Sequence, residues 1–135
     1  MPPAVRCSPE TLRHLLDDRR AGRVGGTTAI FDRHARALYF SKEVLPFGAG
    51  PDTPVHLHLG VYAYRPSALS AYAAEPPSST ELSEGLEQLR LLDMGVPVGV
   101  VVCPTPEGVM AELNNPGDAA VIEAELQRRG EELGS

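Results

Sequence analysis

Val55-His56-Leu57-His58-Leu59-Gly60-Val61-Tyr62-Ala63-Tyr64 is the stretch whose reading decides the fold. Its odd positions Leu57, Leu59, Val61 and Ala63 are apolar, while His56, His58, Gly60, Tyr62 and Tyr64 are polar or minimal. That period of two predicts a β-strand over 55–64. One face of such a strand packs in a core. The other offers two imidazoles, two phenols and a glycine at which a ligand could come close. Arg65-Pro66-Ser67 ends the strand, and a short helix over 67–73 is expected to follow.

Upstream, Ser8-Pro9-Glu10 opens a helix with a hydroxyl cap, proline at the first helical position and an acid near the positive end of the dipole. Leu12, Leu15 and Leu16 give it one apolar stripe, and Gly22 stops it. Asp17-Asp18-Arg19-Arg20 reads as a solvated charge cluster at its end. Residues 27–31 and 37–41 are β-rich and joined by Asp32-Arg33-His34-Ala35-Arg36, which suits a hairpin. Residues 46–54, rich in glycine and proline, form a loop expected to border whatever site exists.

Downstream, Ser78 and Glu81 have capping-box spacing at the start of a longer helix. Leu82, Leu86, Leu89 and Met94 supply its buried stripe, with Glu81 on the solvated face. Gly95 and Pro97 end it. The valine-rich run 96–103 reads as a strand buried on both faces, residues 109–113 as one more strand, and Asn115 as the cap of a last helix with Val121, Ile122 and Leu126 inward. The fold class is therefore mixed α/β, α+β-like, with flanking helices and a sheet that cannot be purely parallel.

A chain of 135 residues predicts one domain over 1–135: an N-terminal helix and connection over 1–23, a central region over 24–128 and a frayed acidic tail over 129–135. Twelve Lys and Arg against eighteen Asp and Glu give a net charge of −6, the wrong sign for gripping nucleic acid through its phosphates. The longest apolar run is far short of the roughly 20 residues that cross a bilayer, and the first residues lack a secretory pattern, so a cytoplasmic address is expected. Cys7 and Cys103 belong to no CxxC and read as two free thiols. His56 and His58 share a strand face and could pair on a metal, but no acid is placed in sequence to complete such a site.

Three segments in register carry a resemblance: Ala37-Leu38-Tyr39-Phe40-Ser41, His58-Leu59-Gly60-Val61-Tyr62-Ala63-Tyr64-Arg65, and Glu84-Gly85-Leu86-Glu87-Gln88-Leu89-Arg90. Over residues 24–126 the chain resembles the second half of CMP-Kdo synthetases, the 3-deoxy-manno-octulosonate cytidylyltransferases. The resemblance implies a truncated half-fold of the nucleotide-diphospho-sugar transferase type that keeps a sugar-acid pocket and a dimer contact. His58 and Tyr62 match the histidine and tyrosine that approach the sugar, and Glu87 and Gln88 match a Glu-Gln pair on the facing helix. Ser41-Lys42 stands where the family usually has Ser-Arg, and lysine lacks the planar fork that suits a carboxylate.

Two departures bear on chemistry. Met1 opens near the middle of the family pattern, so the phosphate-cradling Arg-x-x-Ser-x-Arg is not seen. Asn114 replaces the aspartate that holds divalent metal, so no metal or cofactor is expected. The implied ligand set is Ser41, Lys42, His56, His58, Tyr62, Tyr64, Glu87 and Gln88. Three functions remain open. One is a degenerate cytidylyltransferase-like protein that binds a sugar-acid-like or polyhydroxylated small molecule and is complemented by a separate nucleotide-binding chain. Another is a metal-independent isomerase, cyclase or hydrolase with His58 as acid or base, Tyr62 as hydrogen-bond donor and Glu87 as orienter. The third is a structural dimerisation module. A homodimer is expected in each case, because a half-fold exposes apolar surface that a symmetric contact covers.

Overall fold

The computed structural model describes residues 1–130. In chain order the elements are β1 (Pro3–Arg6), α1 (Pro9–Arg20), β2 (Thr28–Phe31), β3 (Ala37–Ser41), β4 (His56–His58), α2 (Pro66–Ala74), α3 (Ser79–Glu84), α4 (Leu89–Asp93), β5 (Val101–Cys103) and α5 (Asp118–Arg129). Among these residues the strands form a five-stranded sheet of order β3-β2-β4-β1-β5. Only the β1–β5 pairing is parallel, so the sheet is mixed, as the element order required. Of the expected acidic tail 129–135, Arg129 belongs to α5 and Gly130 caps it, while 131–135 lie outside the described residues.

The most interior strand of the second half of the sheet, β1, escaped the sequence reading. Prolines at positions 2 and 3 argue against a strand, yet Pro3 is the first strand residue, where a missing N–H costs least. The carbonyls still pair: Pro2 O accepts from Val101 N at 3.0 Å and Pro3 O from Leu59 N at 3.0 Å.

Alternation along β1 and β4 assigns the two faces. Val5 pairs with Leu57, and both pack with Leu15 of α1. Ala4 pairs with His58 and faces the larger cluster of Ala29, Phe40, Leu89, Leu91, Val98 and Val100. Both faces are therefore covered, and the expected open polar face of 55–64 is instead roofed by the chain around α4. Regular pairing ends at His58, much earlier than the expected ten-residue strand, and Tyr62 and Tyr64 follow in irregular chain.

The helix α1 begins as its sequence dictates: Ser8 caps it by accepting from Thr11 N at 3.1 Å, Pro9 stands first, and Leu12 and Leu15 are buried. In the β2–β3 hairpin, Asp32 Oδ1 accepts from His34 N at 2.8 Å and Arg36 N at 3.0 Å, which closes the turn. The expected long helix after Ser78 is broken. Gly85, at φ 65°, ends α3 in the left-handed region, and α4 starts after Gln88. The capping box holds, but Leu82 points out, 72% exposed, and Glu81 is buried rather than solvated. Arg90 reaches it with two parallel bonds, Nε to Oε2 at 2.8 Å and Nη2 to Oε1 at 2.7 Å, and these hold the Glu81 carboxyl below its usual range. The same guanidinium lies 4.0 Å over the Tyr72 ring and donates to Glu75 O at 3.0 Å, tying α2 to the α3–α4 corner.

Three further expectations are corrected. In the run 96–103 only residues 101–103 form a strand, at the sheet edge, with Val101 and Val102 exposed; Val98 and Val100 are the buried members. Residues 109–113 form no strand, since Met110 N is taken by the Thr11 hydroxyl at 2.9 Å. The N-cap of α5 is Gly117, whereas Asn115 uses its amide on Val24 O at 2.9 Å, and Val121, Ile122 and Leu126 are only half-buried. Among the described residues no helix is long and apolar enough to cross a membrane.

Candidate functional site

A cleft of about 610 Å³ lies between the irregular segment 62–65, the start of α2, and the chain at 96–99. Tyr62, Tyr64 and Arg65 line one side, Ala68 and Ala71 of α2 another, and Gln88, Leu91 and Val98 the floor. The Met1 ammonium donates to Ala63 O at 2.6 Å beside them. Local chain chemistry sets this wall: Pro66 starts α2 and fixes where the tyrosine segment turns, while the Arg90 anchor on Tyr72 and Glu75 holds α2 against the α3–α4 corner.

A ladder of rings leads from the core to the cleft. Phe40 and His58 meet edge-on with centroids 5.3 Å apart, His58 and Tyr62 lie 5.2 Å apart, and Tyr62 stacks on Tyr64 at 5.6 Å and 15°. Burial pushes the His58 imidazole below its ordinary value, so its neutral form is favoured. Burial likewise drives the Tyr62 phenol well up, with the neighbouring Tyr64 and Glu87 charges adding to it. Tyr64 is raised for the same first reason, so both phenols are held as protonated donors.

Two buried polar atoms lie in or behind this cleft. The Gln88 amide nitrogen and the His58 Nε2 find no hydrogen-bond partner among the described residues. Most buried side-chain polar groups are satisfied, so such atoms call for an explanation. Gln88 lines the cleft and Tyr62 joins His58 to it.

The expected site residues divide. Tyr62, Tyr64 and Gln88 line the cleft, His58 backs it, and Glu87 is exposed next to Gln88 in the turn between α3 and α4, not on a helix. His56 stands apart, its ring edge-on to Phe31 at 4.7 Å, with burial and the Arg6 charge lowering its basicity. Ser41 and Lys42 are not among the cleft-lining residues. The Ser41 hydroxyl donates to Glu84 Oε1 at 2.7 Å, Tyr39 OH to the same oxygen at 3.2 Å, and Lys42 N to Glu84 Oε2 at 3.0 Å. That carboxylate clamps the end of β3 to α3, a role that spacing alone could not distinguish from a solvated helix face. The loop 46–54 borders a different hollow, lined by Arg6, Cys7, Ser8, Gly50 and Pro54. Asn114 is exposed and gives its backbone N–H to Asp118 Oδ2 at 3.0 Å. Arg65 carries no signal of a site in the sequence; its place on the cleft wall is visible only in three dimensions.

Both thiols are free. Cys7 is pushed up to about 11 by burial, which makes it a poor nucleophile near neutrality.

Comparison with known proteins gives a consistent set of relatives. The chain is 37% identical over 131 residues to the 3-deoxy-manno-octulosonate cytidylyltransferase of Maricaulis maris, covering 96% of this chain and 51% of that protein. It is 41% identical over 97 residues to the protein of the same name from Chlamydia trachomatis serovar A, covering 72% of this chain and 37% of the relative. A third of that name, from Parvibaculum lavamentivorans, is 43% identical over 98 residues, 72% of this chain and 35% of the relative. Among solved structures, a CMP:2-keto-3-deoxy-manno-octonic acid synthetase complexed with CTP superimposes with a TM-score of 0.64 at 21% identity. That match covers 95% of this chain and 48% of the other, and it establishes the fold. No family model matches the chain. The chain spans about half the length, or less, of the relatives it matches.

Proposed function

Over nearly its whole length the chain is a homologue of one part of the CMP-Kdo synthetases, the 3-deoxy-manno-octulosonate cytidylyltransferases, and on that premise we propose that it binds a small sugar-acid-like or polyhydroxylated ligand in the 610 Å³ cleft. One observation carries the reading: the Gln88 amide nitrogen is buried in the cleft without a hydrogen-bond partner among the described residues, and two stacked phenols and a guanidinium line the same cleft. Stacked tyrosine faces suit the apolar face of a sugar ring, protonated phenols and an amide suit its hydroxyls, and the Arg65 fork suits a carboxylate.

Nucleotidyl transfer by the chain alone is not part of this proposal. Neutralising a triphosphate takes a hard dication held by carboxylates, and Asn114 offers a neutral amide at the position of the family's metal aspartate. Transfer would then call on a separate nucleotide-binding chain, for which the exposed Val101 and Val102 of the edge strand β5 offer an apolar surface. A homodimer is the accompanying proposal, supported by Val61 at 69% exposure and Leu69 at 48% near the cleft.

The test is calorimetric titration of the purified chain with 3-deoxy-manno-octulosonate and, separately, with CTP and magnesium. Saturable uptake of the sugar acid, weakened at least about tenfold by Gln88→Leu and by Arg65→Ala with unchanged melting, supports the assignment. Tight magnesium-dependent CTP uptake by this chain alone, or no uptake of the sugar acid, overturns it. A second reading, acid–base catalysis, is favoured by the His58 Nε2, which has no hydrogen-bond partner among the described residues, and by the Tyr62 ring 5.2 Å from the imidazole. It requires that His58→Ala abolish turnover with the fold intact.

A further inference from the structure

Away from the cleft, α1 and α5 bring together three groups that no pattern in the sequence connects. His14 and Asp18 lie one helical turn apart on α1, and Asp118 is the first residue of α5. His14 Nε2 is 3.4 Å from Asp18 Oδ2 and 3.9 Å from Asp118 Oδ1, and the three candidate ligand atoms all lie within 4.8 Å of one another. We propose that His14, Asp18 and Asp118 form a binding site for a divalent cation of the zinc or manganese kind.

Each carboxylate is already oriented by one oxygen and leaves the other turned to His14. Arg23 takes Asp18 Oδ1, with both Nε and Nη2 at 2.8 Å. Asp118 Oδ2 accepts from Asn114 N at 3.0 Å, Asn115 N at 2.6 Å and Asn115 Nδ2 at 3.1 Å. This is how metal-ligating carboxylates are commonly held, with outer partners fixing the ligating oxygen. The independent sign of a ligand is Asp18 Oδ2. It belongs to a residue only 2% exposed, has no hydrogen-bond partner among the described residues, and is turned towards His14 Nε2, 3.4 Å away.

Geometry and donor type select the ion. Bonds of roughly 2.0–2.2 Å at tetrahedral angles separate ligand atoms by about 3.3–3.6 Å. The His14–Asp18 separation of 3.4 Å already matches, and Asp118 Oδ1, 3.9 Å from His14 Nε2, has to move inward to complete the set. An imidazole with two carboxylates suits zinc, manganese or ferrous iron better than magnesium or calcium, which prefer all-oxygen shells. Two carboxylates offset by the Arg23 guanidinium leave a net negative site for a dication. His14, with 19% of its side chain exposed, is the open side through which the ion and a completing water enter. The site shares no lining residue with the cleft, so it stands or falls apart from the proposed function.

The experiment titrates chelator-stripped protein with zinc chloride by calorimetry, counts bound zinc by elemental analysis, and repeats the titration with cobalt(II) for its spectrum. One zinc per chain is expected, with affinity reduced at least about tenfold in His14→Ala. Cobalt should give visible bands without a thiolate charge-transfer band, which excludes capture by Cys7 or Cys103. Should His14→Ala not fold by circular dichroism, His14→Gln takes its place. In either case zinc raises the melting temperature of the unaltered chain and not of the variant. No saturable uptake, uptake unchanged by the His14 variant, or a thiolate band overturns the proposal, the first leaving His14 as an ion-pair partner of the two aspartates.

Discussion

The neutral, buried state of His58 has a consequence for stability that can be read from a slope. Burial lowers its folded pKa below the ordinary histidine value of about 6.5, so in the relevant window the unfolded chain binds a proton that the folded chain refuses. Stability therefore falls as pH drops from about 6.5 towards the folded value, and is flat with respect to this group above and below that interval. The steepest contribution of one such group is about 1.4 kcal/mol per pH unit, and His56, also lowered by burial, contributes a second of the same sign. Replacing His58 by leucine removes one of the two. The packing offset of that substitution, between the edge of Phe40 and the face of Tyr62, shifts the whole curve but not its slope. Urea melts at half-unit steps from about pH 7.5 to about 5.5 read the effect above the range where Asp32, Glu43, Glu81 and Asp118 lose their own lowered pKa contributions. His58→Leu is expected to be flatter than the parent by up to about 1.4 kcal/mol per unit in that window. Equal slopes would refute the claim that His58 is held neutral by its burial.

Other expectations follow from contacts already described. Phe40, wholly buried against both Leu89 and His58, should cost about 3–5 kcal/mol as Phe40→Ala, a fall of roughly 10–18 °C in a calorimetric melt. Glu84→Ala should destabilise by about 2 kcal/mol, since it strands the Ser41 and Tyr39 hydroxyls and the Lys42 amide; chemical denaturation measures it, and an unchanged midpoint would remove the clamp. Cys7, raised to about 11, is a thiolate in only about one molecule in a thousand at pH 8, so mass spectrometry should find its alkylation far slower than that of a model thiol.

How much of this was legible depended on whether the decisive partner lay nearby in the chain. The cap of α1, the Asp32 turn and the Ser78–Glu81 box are local and were read from residue type and spacing. The break at Gly85 was hidden because leucines continue at helical spacing through it, while only the left-handed backbone marks the stop. Glu81 and Asp18 look like solvated helix charges until Arg90 and Arg23 are seen folded onto them, and buried ion pairs have no periodicity to betray them. The strand β1 was concealed by its prolines. Tyr62 and Tyr64 stood out by the alternation of 55–64, Gln88 by family resemblance, and Arg65 and the Asp18 cluster by neither, since their meaning lies in distances between separate elements.

The strand at residues 3–6 also sets an order of events during synthesis. It pairs on one side with His56, Leu57 and His58 and on the other with Val101, Val102 and Cys103, so its two edges acquire neighbours at very different times as the chain emerges. Until the second neighbour arrives, its donors and acceptors on that side face water and any other nascent chain nearby. The hairpin and first helix can form early from nearby residues, whereas the edge of β1 that faces β5 is closed only when Val101, Val102 and Cys103 pair in parallel with Pro3, Ala4 and Val5.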